Sequence, residues 1–291
     1  MSDLLTFEVS YNGSLTENHR IDLYDVSRSI MGFHRSLAIT THLLLNEKII
    51  TKSTSLKNAH IYALPHEEGS WKMKIVIALG STIGAGLLAP QNSALGHMVF
   101  SAYDYVISES LGVHVDYNKS LGKLYEENKI KNIPIIHQHQ LDMVIDKCNN
   151  SIIDMHRPIY KSESADKTII KGFLNDKEMK FSSELSIDSF TYLNEEVVLE
   201  NVVSITGIIT SFSATNYSGR IELPEIDRPI PFRLDREVKT DKNFEKLIES
   251  LKNKVLKKGT PTNITMDVQI VQTKKKKIKT YIVKKIWENS L

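Results

Sequence analysis

Lysine residues are concentrated near the C-terminal end of the sequence, where their charges could bind an anionic ligand. Residues 251–291 hold 11 Lys and Arg residues against 2 Asp and Glu residues. Ammonium groups that neutralise phosphates release counterions, and this release supplies most of the affinity of non-specific nucleic-acid binding. We therefore predict a basic surface that contacts an anionic ligand such as nucleic acid. The predicted contact residues are Lys274, Lys275, Lys276, Lys277, Lys279, Lys284 and Lys285.

The aromatic content of this region leaves a second interpretation open. Proteins that bind single strands also present aromatic side chains for base stacking. The nearby aromatic residues are Tyr281 and Trp287, with Tyr217 earlier in the chain. Lysine is also common in solvated hairpin turns, and it protects the edge strands of sheets. The competing interpretation is therefore a basic surface that has no ligand.

Residues that commonly support catalysis are present, but not at the spacings that catalysis or metal binding uses. His137 and His139 could face one side of an extended segment, yet no cysteine or carboxylate completes a familiar set of metal ligands. Cys148 falls on the apolar stripe of a predicted helix, which favours an inert thiol. The sequence has no nucleophile elbow, phosphate loop or dinucleotide fingerprint. We expect no catalytic residue, metal or cofactor; an enzyme with an unrecognised site is the alternative.

The N-terminal half predicts an antiparallel sheet packed against helices. Residues 4–11 alternate, and the following Asn-Gly pair favours a hairpin with a return strand over residues 15–21. Apolar residues recur at steps of three and four over residues 23–44, which predicts a long helix with Asp22 as its N-cap. The further expected elements are a hairpin of strands at residues 59–64 and 71–79 and a helix over residues 139–155.

The segment from Ile75 to Tyr103 contains no Asp, Glu, Lys or Arg. Its beginning continues a predicted strand and its end belongs to a predicted helix, which leaves residues 80–91. That remainder is too short to span a membrane, because a transmembrane helix needs about 20 apolar residues, and Pro90 interrupts it. Its small residues permit close packing, so we predict a buried connector or an interface with a second copy or a partner. The predicted interface residues are Gly80, Gly84, Gly86, Leu87 and Leu88.

The C-terminal part predicts a small β-barrel of the OB or SH3-like kind with one inserted helix. Gly207 would allow the bend that a closed sheet needs. The last two strands would form a hairpin whose turn, residues 273–277, is called the lysine turn below. The expected elements are strands at residues 168–174, 202–213, 218–223, 228–234, 262–272 and 277–287 and a helix over residues 243–256.

Charge and composition predict two domains in an α+β chain. Residues 1–200 hold 19 basic against 25 acidic residues, whereas residues 201–291 hold 18 against 10. The polar, aperiodic stretch at residues 160–167 predicts the boundary. The predicted domains are an α+β domain with a helical extension at residues 1–160 and a barrel-like domain at residues 167–291.

The cysteine count and the N-terminal residues bear on the compartment. A chain whose only cysteine is Cys148 forms no internal disulfide, which fits a reducing compartment. The first ten residues lack the positive region and continuous apolar run of a signal peptide. We expect a cytoplasmic protein without a stable transmembrane span.

Five segments resemble an uncharacterised family of bacterial two-domain proteins. The resemblance covers most of the chain. It implies a setting in variable regions of bacterial genomes, in antiviral defence or mobile elements, and it carries no known catalytic residue. The segments are LYDVSRSIMGFHRSLAITTHLLLN, IYALPHEEGSWK, LGHMVFSAYDYVISESLG, DMHRPI and GRIELPEIDRPIPFRL.

These features together predict a non-enzymatic binding protein. Its N-terminal domain would assemble as a homo-oligomer or with a protein partner, and its basic C-terminal barrel would contact an anionic ligand such as nucleic acid. Two alternatives stay open. One is a membrane-acting defence effector that exposes residues 80–106, and the other is the enzyme with an unrecognised site.

Overall fold

The chain divides into two compact units, Met1–Asn194 and Glu195–Leu291, called the N-terminal and C-terminal units below. Both helices and sheets are present, as the α+β prediction requires, and each unit has its own sheet. The computed structural model describes residues 5–64, 71–79, 92–122, 135–174, 177–226, 228–256, 262–273 and 276–287.

The N-terminal sheet is antiparallel and is built around its first strand. The strands run in the order β2-β3-β1-β4-β5, and β6 pairs with the remaining length of β4. Strand β1 places Leu5, Phe7, Val9 and Tyr11 in the core, as its alternation predicts. The strands are β1 (Leu5–Asn12), β2 (Ala59–Ala63), β3 (Lys72–Leu79), β4 (Lys167–Leu174), β5 (Lys177–Lys180) and β6 (Leu185–Ser186).

The predicted hairpin at Asn12-Gly13 is wrong, whereas the predicted hairpin of β2 and β3 is confirmed. After Gly13 the chain enters a short 3₁₀ helix, Ser14–Asn18, instead of a return strand. Strand β1 has no edge for a return strand, because β3 pairs with one edge and β4 with the other. Gly13 has φ +81°, and a Cβ there would lie 2.1 Å from Oδ2 of Asp166. The glycine thus serves a close approach of two chain segments.

The described part of the N-terminal unit has five α-helices, besides short 3₁₀ and π-helical segments. Asp22 caps the first of them by accepting a hydrogen bond from the backbone N–H of Asp25 at 2.8 Å, as predicted. The first and third helices cross closely, since a Cβ on Gly32 would lie 2.3 Å from the carbonyl oxygen of Ser151. The helices are α1 (Leu23–Asn46), α2 (Asn92–Ser110), α3 (Gln138–Met155), α4 (Arg157–Tyr160) and α5 (Ile187–Asn194).

The boundary between the units lies later in the chain than predicted. The stretch at residues 160–167 is polar, but strand β4 follows it and pairs with β1 from Lys167 to Phe173. Residues 167–194 therefore belong to the N-terminal sheet and its helices, and the division falls at Asn194. This pairing corrects the predicted domain limits of 1–160 and 167–291.

The C-terminal unit is a ring of five strands with one helix. The strands follow one another around the ring as β10-β11-β9-β8-β7, and β7 pairs again with β10. Gly207 lies where β7 passes from its pairing with β10 to its pairing with β8. The elements are β7 (Val197–Ser213), β8 (Ser218–Glu222), β9 (Ile230–Leu234), α6 (Asp241–Leu256), β10 (Ile264–Gln272) and β11 (Ile278–Ile286).

The predicted connector at residues 80–91 lies outside the described residues. The same is true of all five predicted interface residues, Gly80, Gly84, Gly86, Leu87 and Leu88. Among the helices of the described ranges, none combines the length and the apolar character that crossing a membrane requires.

Candidate nucleic-acid interface

The outer face of strands β8 and β9 carries an exposed arginine. Ile230, Phe232 and Leu234 of β9 point into the core of the ring, so Pro231 and Arg233 lie on its outer side. Arg233 lies opposite Ser218 of β8 and Ile282 of β11. Its side chain is exposed. Sequence reasoning missed this residue, although the alternation of Ile230, Phe232 and Leu234 with Pro231 and Arg233 is a signal for its outward side.

The lysine turn is a closed hairpin turn between β10 and β11. The backbone N–H of Thr273 donates to the carbonyl oxygen of Lys277 at 2.9 Å, and that of Lys276 donates to the carbonyl oxygen of Thr273 at 2.9 Å. Lys276 has φ +62°, and the side chains of Lys276 and Lys277 are exposed. The turn therefore places these two side chains at the surface, whereas Lys274 and Lys275 lie outside the described residues.

A second arginine joins the lysine turn from the loop that precedes β9. Nη2 of Arg228 donates to the carbonyl oxygen of Ile278 at 2.6 Å, which fixes the guanidinium at the start of β11. Partial desolvation and repulsion by Arg228 lower the pKa of Lys277. Neighbouring cations of this kind are stabilised by a bound anion. The sequence signal for Arg228 was weak, since it lies 45 positions or more from the turn that it joins.

The three remaining predicted lysines, all on β11, have partners inside the C-terminal unit. Nζ of Lys279 lies 3.2 Å from Oε1 of Glu196, and Lys284 forms an ion pair with Asp235. The hydrogen bond from Lys284 lowers the pKa of the Asp235 carboxyl. Nζ of Lys285 stands 3.4 Å from the ring centroid of Trp287. The structure thus brings the lysine turn and Arg228 together, while these three lysines are engaged elsewhere on β11.

The three aromatic residues named from the sequence differ in their exposure to solvent. Tyr281 is 2% exposed and packs in the core, so it offers no stacking surface. Trp287 is 42% exposed, and its Nε1 donates to Oδ1 of Asp267 at 2.8 Å. Tyr217 is half-buried, and its ring stacks on Phe244 with centroids 5.7 Å apart. Nζ of Lys239 stands 4.5 Å from the Tyr217 ring centroid.

The candidate catalytic and metal-binding residues of the N-terminal unit have structural partners. The rings of His137 and His139 stack with centroids 5.8 Å apart. Across the described ranges, no group of three or more His, Cys, Asp or Glu residues is placed to hold a metal ion. Cys148 is buried, and burial raises the pKa of its thiol to about 12, which keeps it protonated near neutral pH.

The contact between His156 and Ser189 resembles part of a catalytic dyad, but it belongs to the hydrogen bonds at the N-terminus of a helix. Nε2 of His156 lies 2.9 Å from Oγ of Ser189. The same Oγ accepts the backbone N–H of Ser186, and Oγ of Ser186 accepts the backbone N–H of Ser189. This reciprocal pattern is that of a capping box at the N-terminus of α5. The contact therefore joins α5 to the end of α3 within the core.

Comparison with known proteins identifies a family but no activity. A model described as a family of unknown function, DUF7947, matches residues 201–286, which lie within the C-terminal unit. A second model, described as a domain of unknown function, DUF7946, matches residues 7–189, more than half of the chain. No curated protein and no solved structure matches the chain. The two matches support an uncharacterised two-domain arrangement, and the chain belongs to the family described as domain of unknown function DUF7946.

Proposed function

We propose that the C-terminal unit is an OB-fold domain that binds nucleic acid through its phosphates. Three features support the OB assignment over an SH3-like one. The strands connect around the ring in a Greek-key order, the third and fifth strands of the unit, β9 and β11, are parallel, and α6 lies between the third and fourth strands. An OB fold is a five-stranded Greek-key barrel.

The position of the lysine turn carries the proposal. OB folds bind oligonucleotides on the face of their second and third strands and with the loops that join strands one to two and four to five. In the C-terminal unit, the second and third strands are β8 and β9, which expose Arg233. The loop that joins strands four and five is the lysine turn. Both basic features thus occupy the surfaces with which an OB fold contacts a phosphate backbone.

A salt titration tests the contribution of the lysine turn. Each phosphate that a lysine neutralises on a single strand contributes about −0.7 to the slope of log K against log salt. Changing Lys274, Lys275, Lys276 and Lys277 together to Ser should make the slope shallower by about 0.7 for each phosphate that is no longer neutralised. The turn carries little of the core, so the melting temperature should change little. Fluorescence anisotropy with a labelled oligonucleotide at several salt concentrations measures the slope.

The N-terminal unit supplies a control with the same loss of charge. Lys52, Lys57, Lys161 and Lys177 are exposed, and changing all four to Ser should leave the slope as in the parent protein. A ligand bound through phosphates should also show slight sequence preference, because lysine reads no base pattern at the backbone. An absence of binding at the lowest salt, or equal slopes for both four-fold variants, would reject the proposal.

We also propose that the protein acts in bacterial antiviral defence, in the cytoplasm, and assembles with copies of itself or with a partner. The resemblance of five sequence segments to bacterial proteins of variable genome regions supports this setting. Cells that express the protein with its neighbouring genes should resist a subset of phages. The variant with four serines in the lysine turn should lose this resistance at equal protein levels. Plaque counts measure the effect, and unchanged plaquing by every phage tested would contradict the setting.

A further inference from the structure

We infer that Tyr217 and Lys239 form a site for one unpaired nucleobase, so that the ligand of the C-terminal unit is single-stranded nucleic acid. The inference rests on the proposed function and limits its ligand to single strands. Phosphate contacts alone do not distinguish single strands from duplexes, whereas a stacked base must first leave its pairing partner.

The aromatic rings beside the site come from four parts of the C-terminal unit. Tyr217 ends the loop that joins β7 to β8, and its ring stacks on Phe244 of α6 at an interplanar angle of 24°. The ring of Phe212 on β7 lies 6.2 Å from that of Phe244 and 6.4 Å from that of the core residue Phe232. The row of rings therefore begins in the core and reaches solvent at the half-buried Tyr217.

The backbone conformation of Tyr217 is unfavourable for a residue that carries a side chain. Tyr217 has φ +54°, in the left-handed region, where a residue with a Cβ is strained. Glycine adopts this conformation without strain, so a position with only a turn to make would favour glycine. Strained conformations of non-glycine residues cluster at ligand clamps, active sites and switch regions. A binding role accounts for an aromatic side chain at this position.

Lys239 supplies the charge that a nucleotide needs beside a stacked base. Its side chain is exposed, and its ammonium stands over the ring of Tyr217. A base that stacks on this ring takes the place of the ammonium, which can then pair with the adjoining phosphate. The backbone N–H of Leu234 donates to the carbonyl oxygen of Tyr217 at 2.9 Å, so the site adjoins the end of β9 that carries Arg233.

The chain also contains a matched pair that should not bind a base. Lys285 stands over Trp287 as Lys239 stands over Tyr217, and both rings reach solvent. The indole Nε1 is hydrogen bonded to Asp267, whose pKa is lowered by the hydrogen bonds from Ser204 and Trp287. The carboxylate is therefore ionised near neutral pH, and it repels a phosphate beside the Trp287 ring.

The test compares two probes of equal length and charge. One is an oligothymidylate of about 12 nucleotides, within the range that one OB fold covers, and the other is the same backbone with abasic sites. The protein with both units should bind the base-bearing probe at least about fivefold more tightly. Tyr217→Gly should fold, because glycine suits this φ, and it should bind both probes equally. Tyr217→Trp should keep the preference and show quenching of its fluorescence by the base-bearing probe only.

The control and the contrary outcomes separate this inference from the proposed function. Trp287→Leu should keep the preference of the parent protein. Equal binding of the two probes by the parent protein overturns the nucleobase site and leaves phosphate binding in place. A preference that persists in Tyr217→Gly likewise overturns the inference. Binding of neither probe overturns both the inference and the proposed function.

Discussion

Arg157→Met is expected to lower the free energy of unfolding of the N-terminal unit by about 3 kcal/mol. Nε of Arg157 donates to Oδ1 of Asp25 at 2.8 Å, and the Asp25 side chain is only 6% exposed. The guanidinium also stands 5.2 Å from the ring centroid of Tyr24. Methionine keeps the unbranched apolar part of the side chain but leaves a buried carboxylate without its cation, and that uncompensated charge causes the loss. Urea unfolding of the two proteins measures the difference.

A second ion pair between the same helical regions provides the control. Nη2 of Arg28 lies 2.7 Å from Oδ2 of Asp154, but these side chains are 49% and 26% exposed. Solvated pairs contribute about 0–1 kcal/mol, so Arg28→Met should have a small effect. The double variant Asp25→Asn with Arg157→Met should recover much of the stability, because it removes the buried charge. Equal losses for Arg157→Met and Arg28→Met would contradict this explanation.

His156 is expected to make the N-terminal unit less stable as the pH falls from about 6.5 towards 4. The ring is buried, with Nδ1 donating to the carbonyl oxygen of Ile152 and Nε2 accepting from the hydroxyl of Ser189. Burial lowers the pKa of His156 from 6.5 to about 4. Between these values the unfolded chain takes up a proton that the folded chain does not, so acid favours unfolding. The full effect is roughly 3 kcal/mol.

The variant His156→Gln isolates this contribution. Its amide can still donate to Ile152 and accept from Ser189, but it does not titrate. The free energy of unfolding of the parent protein should therefore fall more steeply between pH 7 and 5 than that of the variant. The comparison cancels other titrating groups, including Asp104, whose pKa burial raises. Parallel pH profiles for the two proteins would show that the pKa of His156 does not differ between the folded and unfolded states.

Local patterns predicted the elements of the N-terminal unit better than their pairing. The apolar stripe of α1, its cap at Asp22 and the helix around Cys148 follow from residues within a few turns of one another, and the structure has them. The hairpin at Asn12-Gly13 failed because two distant strands occupy both edges of β1. The boundary at residues 160–167 failed for the same reason, since a strand's own residues do not reveal which sheet it joins.

The sequence predicted the candidate interface only where basic residues are adjacent in the chain. The lysine turn is a run of identical charges and could be recognised directly. Arg228 carries no such signal, because the fold decides that it reaches the turn. Arg233 is a single charge whose outward side follows from the alternation of β9, but its place beside β8 and β11 depends on strand pairing. The Tyr217 site depends on Phe244, a residue of the inserted helix. The sequence does not distinguish Lys279 and Lys284 from the lysines of the turn. The structure does, because it pairs them with the carboxylates of Glu196 and Asp235.

Because β1 lies between β3 and β4, the N-terminal sheet cannot be completed until the ribosome has synthesised β4. Strand β1 is made first, but its partner β4 pairs Thr6 with Phe173 and Asn12 with Lys167. A ribosome adds roughly 5–20 residues per second, so the partner follows after on the order of 10–30 s. During that interval one edge of β1 lacks its partner strand, and this open edge can pair with another nascent chain. A chain that ended before Lys167 would retain that open edge permanently.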